Sequence, residues 1–299
     1  VIRPTASYLP NIGINMPQSN LNIQRTASPK AGISSTGDGG PVVLLHSSMA
    51  SKKQWRSLTE RIGGKYRVIA IDLYGYGETA FPGQAGQFSL NDEVELVRAA
   101  LADVLAPWEA FHLIGHSYGG GVALRLAFDL PQRVRSLGLF EPTAFHLLPP
   151  GEPGLAQIRA VFEQVRLALA QDDAPAATRR FIDFWNEDGF FDALPAAKQV
   201  EFIRQSAKVP LDFRALLNEP LDIGQYRRLD MPMCLIRGSH SPRCATAVVD
   251  VLATLENARA HRVVGGHMAP VTHPDAVNRI LEDFIASLEV DTLAEINTA

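Results

Sequence analysis

The chain has 299 residues, 46% of them hydrophobic and 20% charged, with three Trp and fourteen Phe, enough for a large buried core in one or two domains. Its net charge is only -4, and basic and acidic residues are interspersed, which excludes a polyelectrolyte partner such as nucleic acid. No run approaches the ~20 apolar residues that span a bilayer. The two cysteines, Cys234 inside an apolar run and Cys244, lack zinc-type spacing and suit a reducing, cytoplasmic setting.

Residues 1–40 carry Pro4, Pro10, Pro17 and Pro29 among many Ser, Thr and Asn and end in GDGG, predicting an extended arm with an edge strand around Leu21–Arg25. In PVVLLHSS, Val42–Leu45 is the short continuous apolar run of a strand buried on both faces. Trp55, Leu58 and Ile62 then recur at helical spacing, and Gly63-Gly64 ends that helix. YRVIAIDLYGYGET is a second buried strand running into a Gly-rich loop. Ser89-x-x-Asp92 opens a helix with Val94, Val97, Leu101, Val104 and Leu105 on one face. Strand FHLIG (111–115), a helix over about Tyr118–Leu130 and strand SLGLF (136–140) follow.

Residues 143–228 break the alternation, with helical patterns in QIRAVFEQVRLALA, TRRFIDFWNEDGFFDALP and KQVEFIRQ and no convincing strand. It resumes with strand MCLIR (233–237), a helix bearing Val248, Val251, Leu252 and Leu255, a strand near Arg262–Val264 and a helix from Pro274. The fold class is therefore α/β, a mostly parallel central sheet with helices on both faces. Right-handed crossovers place the strand C-terminal ends on one edge. The organisation expected is an arm over 1–40, a core over 41–142 and 229–299, and a helical cap over 143–228.

Gly115-His116-Ser117-Tyr118-Gly119 is a G-x-S-x-G between an apolar strand and an Ala/Leu-rich helix. A sharp strained turn there holds a serine hydroxyl clear of the sheet, and the two glycines let strand and helix pack closely. The plain alternative is a serine in a connecting turn. Together LLHSSM, IDLYGYGET, GHSYGG, FEP and GGHM, in that order between Pro41 and Leu288, resemble the α/β-hydrolase superfamily, in its capped, esterase-like serine-hydrolase branch. The resemblance implies a nucleophilic mechanism without fixing a substrate, and a structural role for Asp72.

Among eight histidines, His267 follows the last strand, where resembling enzymes keep the catalytic base. An acidic partner is expected after LIRG, yet Ser239-His240-Ser241 offers no carboxylate. Glu141 follows the neighbouring strand directly; adjacent strands lie about 4.8 Å apart, and Glu reaches one methylene further than Asp. Ser117, Glu141 and His267 also stand in the chain order nucleophile, acid, base. Some resembling enzymes, haloalkane dehalogenases included, carry the acid at this earlier strand. The other reading has Glu141 capping the segment begun by Pro142 or pairing with an Arg. Asp222, Asp230 and Asp250 are poorer sites for the acid.

Acyl transfer needs two N–H donors for the developing oxyanion, and Tyr118 and Ser48 are expected to supply them. Resembling enzymes usually show His-Gly where His46-Ser47 stand, so a positive φ at that site would strain Ser47. Met49, Phe145, Trp185 and Met268 are the expected pocket walls, while most cap aromatics belong to the cap's own core. No metal site and no cofactor are expected. The function expected is a serine hydrolase cleaving a carboxylic ester of a small, largely apolar molecule. Lactone, thioester or C–C cleavage, acyl transfer, and a non-catalytic ligand-binding role remain alternatives. Ser117 in place of Asp argues against dehalogenase and epoxide hydrolase chemistry.

Overall fold

The computed structural model describes residues 30–296. The arm up to Pro29, with the strand expected around Leu21–Arg25, lies outside the described residues. Seven strands form one sheet in the order β1-β3-β2-β4-β5-β6-β7, with only β1 antiparallel. They are β1 (Ile33–Thr36), β2 (Gly40–Leu45), β3 (Tyr66–Ile71), β4 (Phe111–His116), β5 (Val134–Phe140), β6 (Met233–Gly238) and β7 (Ala258–Val263). The antiparallel strand β1 was not foreseen: its ISST sequence is largely exposed and shows no apolar run. The last strand begins earlier than expected, because ARAHRV is mostly exposed on the sheet edge and lacks the apolar pattern of a central strand.

The two faces of the sheet follow the two-residue period of a strand. Val43, Leu45, Ile69, Ile71, Leu113, Leu137 and Leu235 point to one core. Val42, Leu44, Val68, Ala70, Ile114, Phe140 and Ile236 point to the other. The first face is covered by α2 (Leu90–Ala102), α3 (Tyr118–Asp129) and α10 (Arg243–Leu252); the second is covered by α1 (Arg56–Ile62) and α12 (Pro274–Ile296). The short α11 (Ala269–Thr272) precedes α12. The Asp92 carboxylate accepts the Ser89 N–H at 2.8 Å, the capping box expected for α2.

Between β5 and β6 the chain is helical: α4 (Pro153–Ala170), α5 (Ala174–Trp185), α6 (Phe190–Ala193), α7 (Ala196–Gln205), α8 (Val209–Leu217) and α9 (Ile223–Tyr226). These helices form the cap, and their apolar faces continue the first core. Among the described residues no helix is long and apolar enough to cross a membrane.

Buried His46 and His112 and half-buried His146 set an acid limit on this fold. Burial, the largest cause in each case, lowers His46, His112 and His146 from 6.5 to about 4. Their folded values lie below the unfolded one, so between pH 6.5 and 4 the unfolded chain binds protons that the folded chain does not. Stability is therefore full above about 6.5 and is lost as pH falls towards 4. Denaturant midpoints measured across this range are expected to fall, with a slope approaching about 1.4 kcal/mol per pH unit for each such histidine. A flat stability between pH 6.5 and 5 would contradict that assignment.

Candidate active site

Strand β4 ends at His116 and α3 begins at Tyr118, so Ser117 alone makes the turn, with φ 54° and ψ -119°. Backbone bonds fix it: Ser117 N–H donates to Phe140 O at 3.0 Å, and Ser117 O accepts from Thr143 N–H at 3.1 Å. The flanking glycines are steric requirements. A Cβ on Gly115 would lie 2.5 Å from Gly119 O, and one on Gly119 2.4 Å from His46 O.

The structure brings Ser117, His267 and Glu141 into one buried chain. His267 Nε2 lies 2.9 Å from Ser117 Oγ, and His267 Nδ1 lies 2.7 Å from Glu141 Oε2. The second carboxylate oxygen, Oε1, accepts the N–H of Gly238 at 2.7 Å. Gly238 is the last residue of β6, the strand that Ser239-His240-Ser241 follow without a carboxylate. Strands β5 and β6 pair with Phe140 opposite Ile236, and Glu141 N–H donates to Ile236 O at 3.0 Å. One strand spacing is thus what the Glu side chain crosses, and Ser241, its Oγ buried without a hydrogen-bond partner, lies by Gly238.

Backbone strain is concentrated here. The non-glycine residues with positive φ among those described are Met49, Ser117, Glu141 and Asp172. Three of the four sit at this site, each costing on the order of 1–3 kcal/mol that the surrounding fold must offset. In the loop after β2 the positive φ falls on Met49 (56°), not on Ser47, so the strain considered for Ser47 does not arise. His46 pins this loop: its Nδ1 donates to Ser47 O at 2.7 Å and its Nε2 accepts from Leu73 N–H at 3.0 Å. Ser48 lies against the same cavity as Ser117, and its hydroxyl donates to Asp212 Oδ2 at 2.6 Å. Asp72, buried, accepts from the N–H and the ammonium of Lys52, a structural arrangement.

His116 supports the histidine loop. Its Nε2 donates to His267 O at 2.9 Å. Burial holds its pKa well below 6.5, so the ring stays neutral. His240 is exposed, and His146 donates to Leu216 O at 3.1 Å.

A small cavity lies over Ser117, lined also by Ser48, Thr143, Phe145, Phe181, Trp185, Asp212, Phe213 and Leu216. Phe145 and Trp185 are among its lining residues; the Trp185 ring stacks on the His267 ring, centroids 4.0 Å apart and planes at 30°. Met49 and Met268 are not among the lining residues of this cavity. Met49 is packed in the core, directed there by its left-handed backbone, and Met268 is half-buried where α11 begins. Tyr118 directs its hydroxyl away, to Glu93 Oε1 at 3.0 Å. Thr143, Asp212, Phe213 and Leu216 were not foreseen as lining residues; a Lys208/Asp212 pair inside the apolar run KVPLDF is the one signal that marked Asp212.

The profile of the Alpha/beta hydrolase family matches residues 42–280, which span the whole sheet beyond β1 and the cap. The chain belongs to the alpha/beta hydrolase family. Similar members include a putative 2-succinyl-6-hydroxy-2,4-cyclohexadiene-1-carboxylate synthase of Bacillus subtilis (strain 168), 27% identical over 267 residues, 84% of this chain and 94% of that one. A 2-hydroxymuconate semialdehyde hydrolase of Pseudomonas putida is 28% identical over 303 residues, covering 94% of this chain and 99% of the relative. Among solved structures, an esterase from Exiguobacterium antarcticum superposes with a TM-score of 0.70 at 20% identity, covering 86% of this chain and 96% of that one. This alpha/beta hydrolase has, among its described residues, no group of three or more His, Cys, Asp or Glu placed to hold a metal ion.

Proposed function

We propose that the protein is a serine hydrolase that cleaves a carboxylic ester of a small, largely apolar molecule through an acyl-enzyme. The observation that carries this is the buried chain Ser117–His267–Glu141, with heavy-atom separations of 2.9 and 2.7 Å. In the reaction, Ser117 Oγ bonds to the ester carbonyl carbon as its proton passes to His267 Nε2. Collapse of the tetrahedral adduct breaks the bond to the alcohol oxygen, which leaves with that proton. Water then repeats the attack, giving up a proton to His267 and releasing the acid and free Ser117. Glu141 holds the imidazole with its proton on Nδ1 and stabilises the imidazolium. Tyr118 N–H, in the first turn of α3 and so without an intrahelical partner, and Ser48 N–H receive the oxyanion. The Trp185 face against His267 favours the cationic ring by about 0.5–2 kcal/mol.

Both relatives compared are named for compounds that bear a carboxylate. No Lys or Arg lines the cavity here, so those substrates are not carried over. The test is intact mass after exposure to a fluorophosphonate. One adduct on the wild-type protein, mapped to Ser117 and lost in Ser117→Ala, is expected; a folded protein with no adduct would sink the reading in favour of ligand binding without turnover.

A further inference from the structure

The cavity over Ser117 is apolar on one side and polar on the other. Its aromatic wall is Phe145, Phe181, Trp185 and Phe213; its polar strip is Ser48, Thr143 and Asp212. Asp212 comes from α8 of the cap. Its Oδ2 accepts from Ser48 Oγ at 2.6 Å and from Tyr76 OH at 2.5 Å, while Oδ1 is paired with the Lys208 ammonium. Lys208 also meets Glu93 at 3.0 Å, and all three charged groups are buried. Two carboxylates therefore share one ammonium, and the surplus of negative charge is presented to the cavity by Asp212.

A second observation concerns the same cavity. Thr143, 2% exposed, lines the same cavity, and its Oγ1 has no hydrogen-bond partner in the protein. Buried hydroxyls are paired as a rule, because an unmet one costs free energy. A ligand oxygen in the cavity would satisfy it.

We propose that Asp212 and Thr143 form a specificity subsite for a neutral ester whose acyl chain carries a hydroxyl, and that they select against acyl chains ending in a carboxylate. This rests on the serine-hydrolase reading above. The substrate hydroxyl donates to the Asp212 carboxylate and accepts from Thr143 Oγ1, which gives the threonine hydroxyl its missing partner. A substrate carboxylate would instead meet the like charge of a buried carboxylate, which solvent screens weakly. An ammonium group would gain from the charge but lose its hydration in a cavity walled mainly by aromatic rings.

The test uses three p-nitrophenyl esters of equal chain length: butyrate, 3-hydroxybutyrate and hemisuccinate. For the wild-type protein, kcat/KM is expected to rise about 10-fold from butyrate to 3-hydroxybutyrate, the effect of one added hydrogen bond. From butyrate to hemisuccinate it is expected to fall at least about 100-fold, the effect of one buried like-charge repulsion. Thr143→Val should abolish the hydroxyl preference and leave the handicap of hemisuccinate unchanged. Asp212→Asn should shrink that handicap at least about 10-fold; it leaves Lys208 and Glu93 as a balanced pair, so the variant folds. Equal turnover of all three esters by the wild type, or one uniform factor across all three in both variants, overturns the subsite while leaving the serine hydrolase standing. No turnover of any ester, with no fluorophosphonate adduct, overturns both.

Discussion

Glu141→Gln is expected to lower kcat on p-nitrophenyl butyrate by about 1,000- to 10,000-fold while the protein stays folded. The carboxylate accepts two hydrogen bonds, from His267 Nδ1–H and from Gly238 N–H, both at 2.7 Å. An amide has only one oxygen to offer them. If that oxygen turns to Gly238, the amide NH2 faces the ring, and His267 must shift its proton to Nε2, where it can no longer take the Ser117 proton. If it turns to His267, the buried N–H of Gly238 loses its acceptor, at a cost of about 1–3 kcal/mol in stability, and the imidazolium loses its counter-charge. Glu141→Asp separates reach from charge. It keeps the carboxylate but is one methylene short of spanning from β5 to the end of β6, so its kcat should fall between those of wild type and Glu141→Gln. A Glu141→Gln variant within about 10-fold of wild type would show that the carboxylate does not orient the base.

That acid also marks how far the sequence carries. The candidate hydroxyl and the displaced carboxylate were legible because each closes a short apolar strand, and the imidazole because it follows the last strand; a parallel sheet delivers strand ends to one edge. Register did the rest: Phe140 pairs with Ile236, so Glu141 lies within one side chain of Gly238 at the end of β6. The walls of the cavity were less legible, because they depend on how the cap helices lie on the core, which no local period encodes. Met49 shows the limit well. Its neighbours suggested a wall, but a φ of 56° turns its side chain into the core instead. The strand β1 was missed for a different reason, since an exposed antiparallel edge needs no apolar pattern to pair.

Least legible of all was the ionic cluster beneath the cap, whose members come from α2, the loop after β3, α3, the segment leading into α8 and α8 itself. Lys208 is fully buried and bridges Glu93 and Asp212. Its ammonium also lies 4.3 Å from the Phe88 ring centroid and 4.8 Å from that of Tyr118. Lys208→Met is therefore expected to destabilise the protein by about 3–5 kcal/mol, read as a fall in Tm of about 10 °C. The methionine fills the space of the stem but leaves two carboxylates facing each other without a cation. Burial, followed by repulsion from Asp212, already raises the Glu93 pKa against the pull of Lys208. Without the lysine, Glu93 takes up a proton and part of the loss is recovered at acid pH. A further variant separates charge from packing: adding Glu93→Gln and Asp212→Asn to Lys208→Met removes every charge of the cluster, and most of the lost Tm should return. A single Lys208→Met variant that melts within about 2 °C of wild type would mean the ammonium offsets no more than its own desolvation. Activity should follow stability in this series, because Ser48 and Tyr118, the two residues expected to hold the oxyanion, are each bonded to a carboxylate of the cluster. The cap would then act on the reaction through the charges that seat it, and not only through the walls it lends to the cavity.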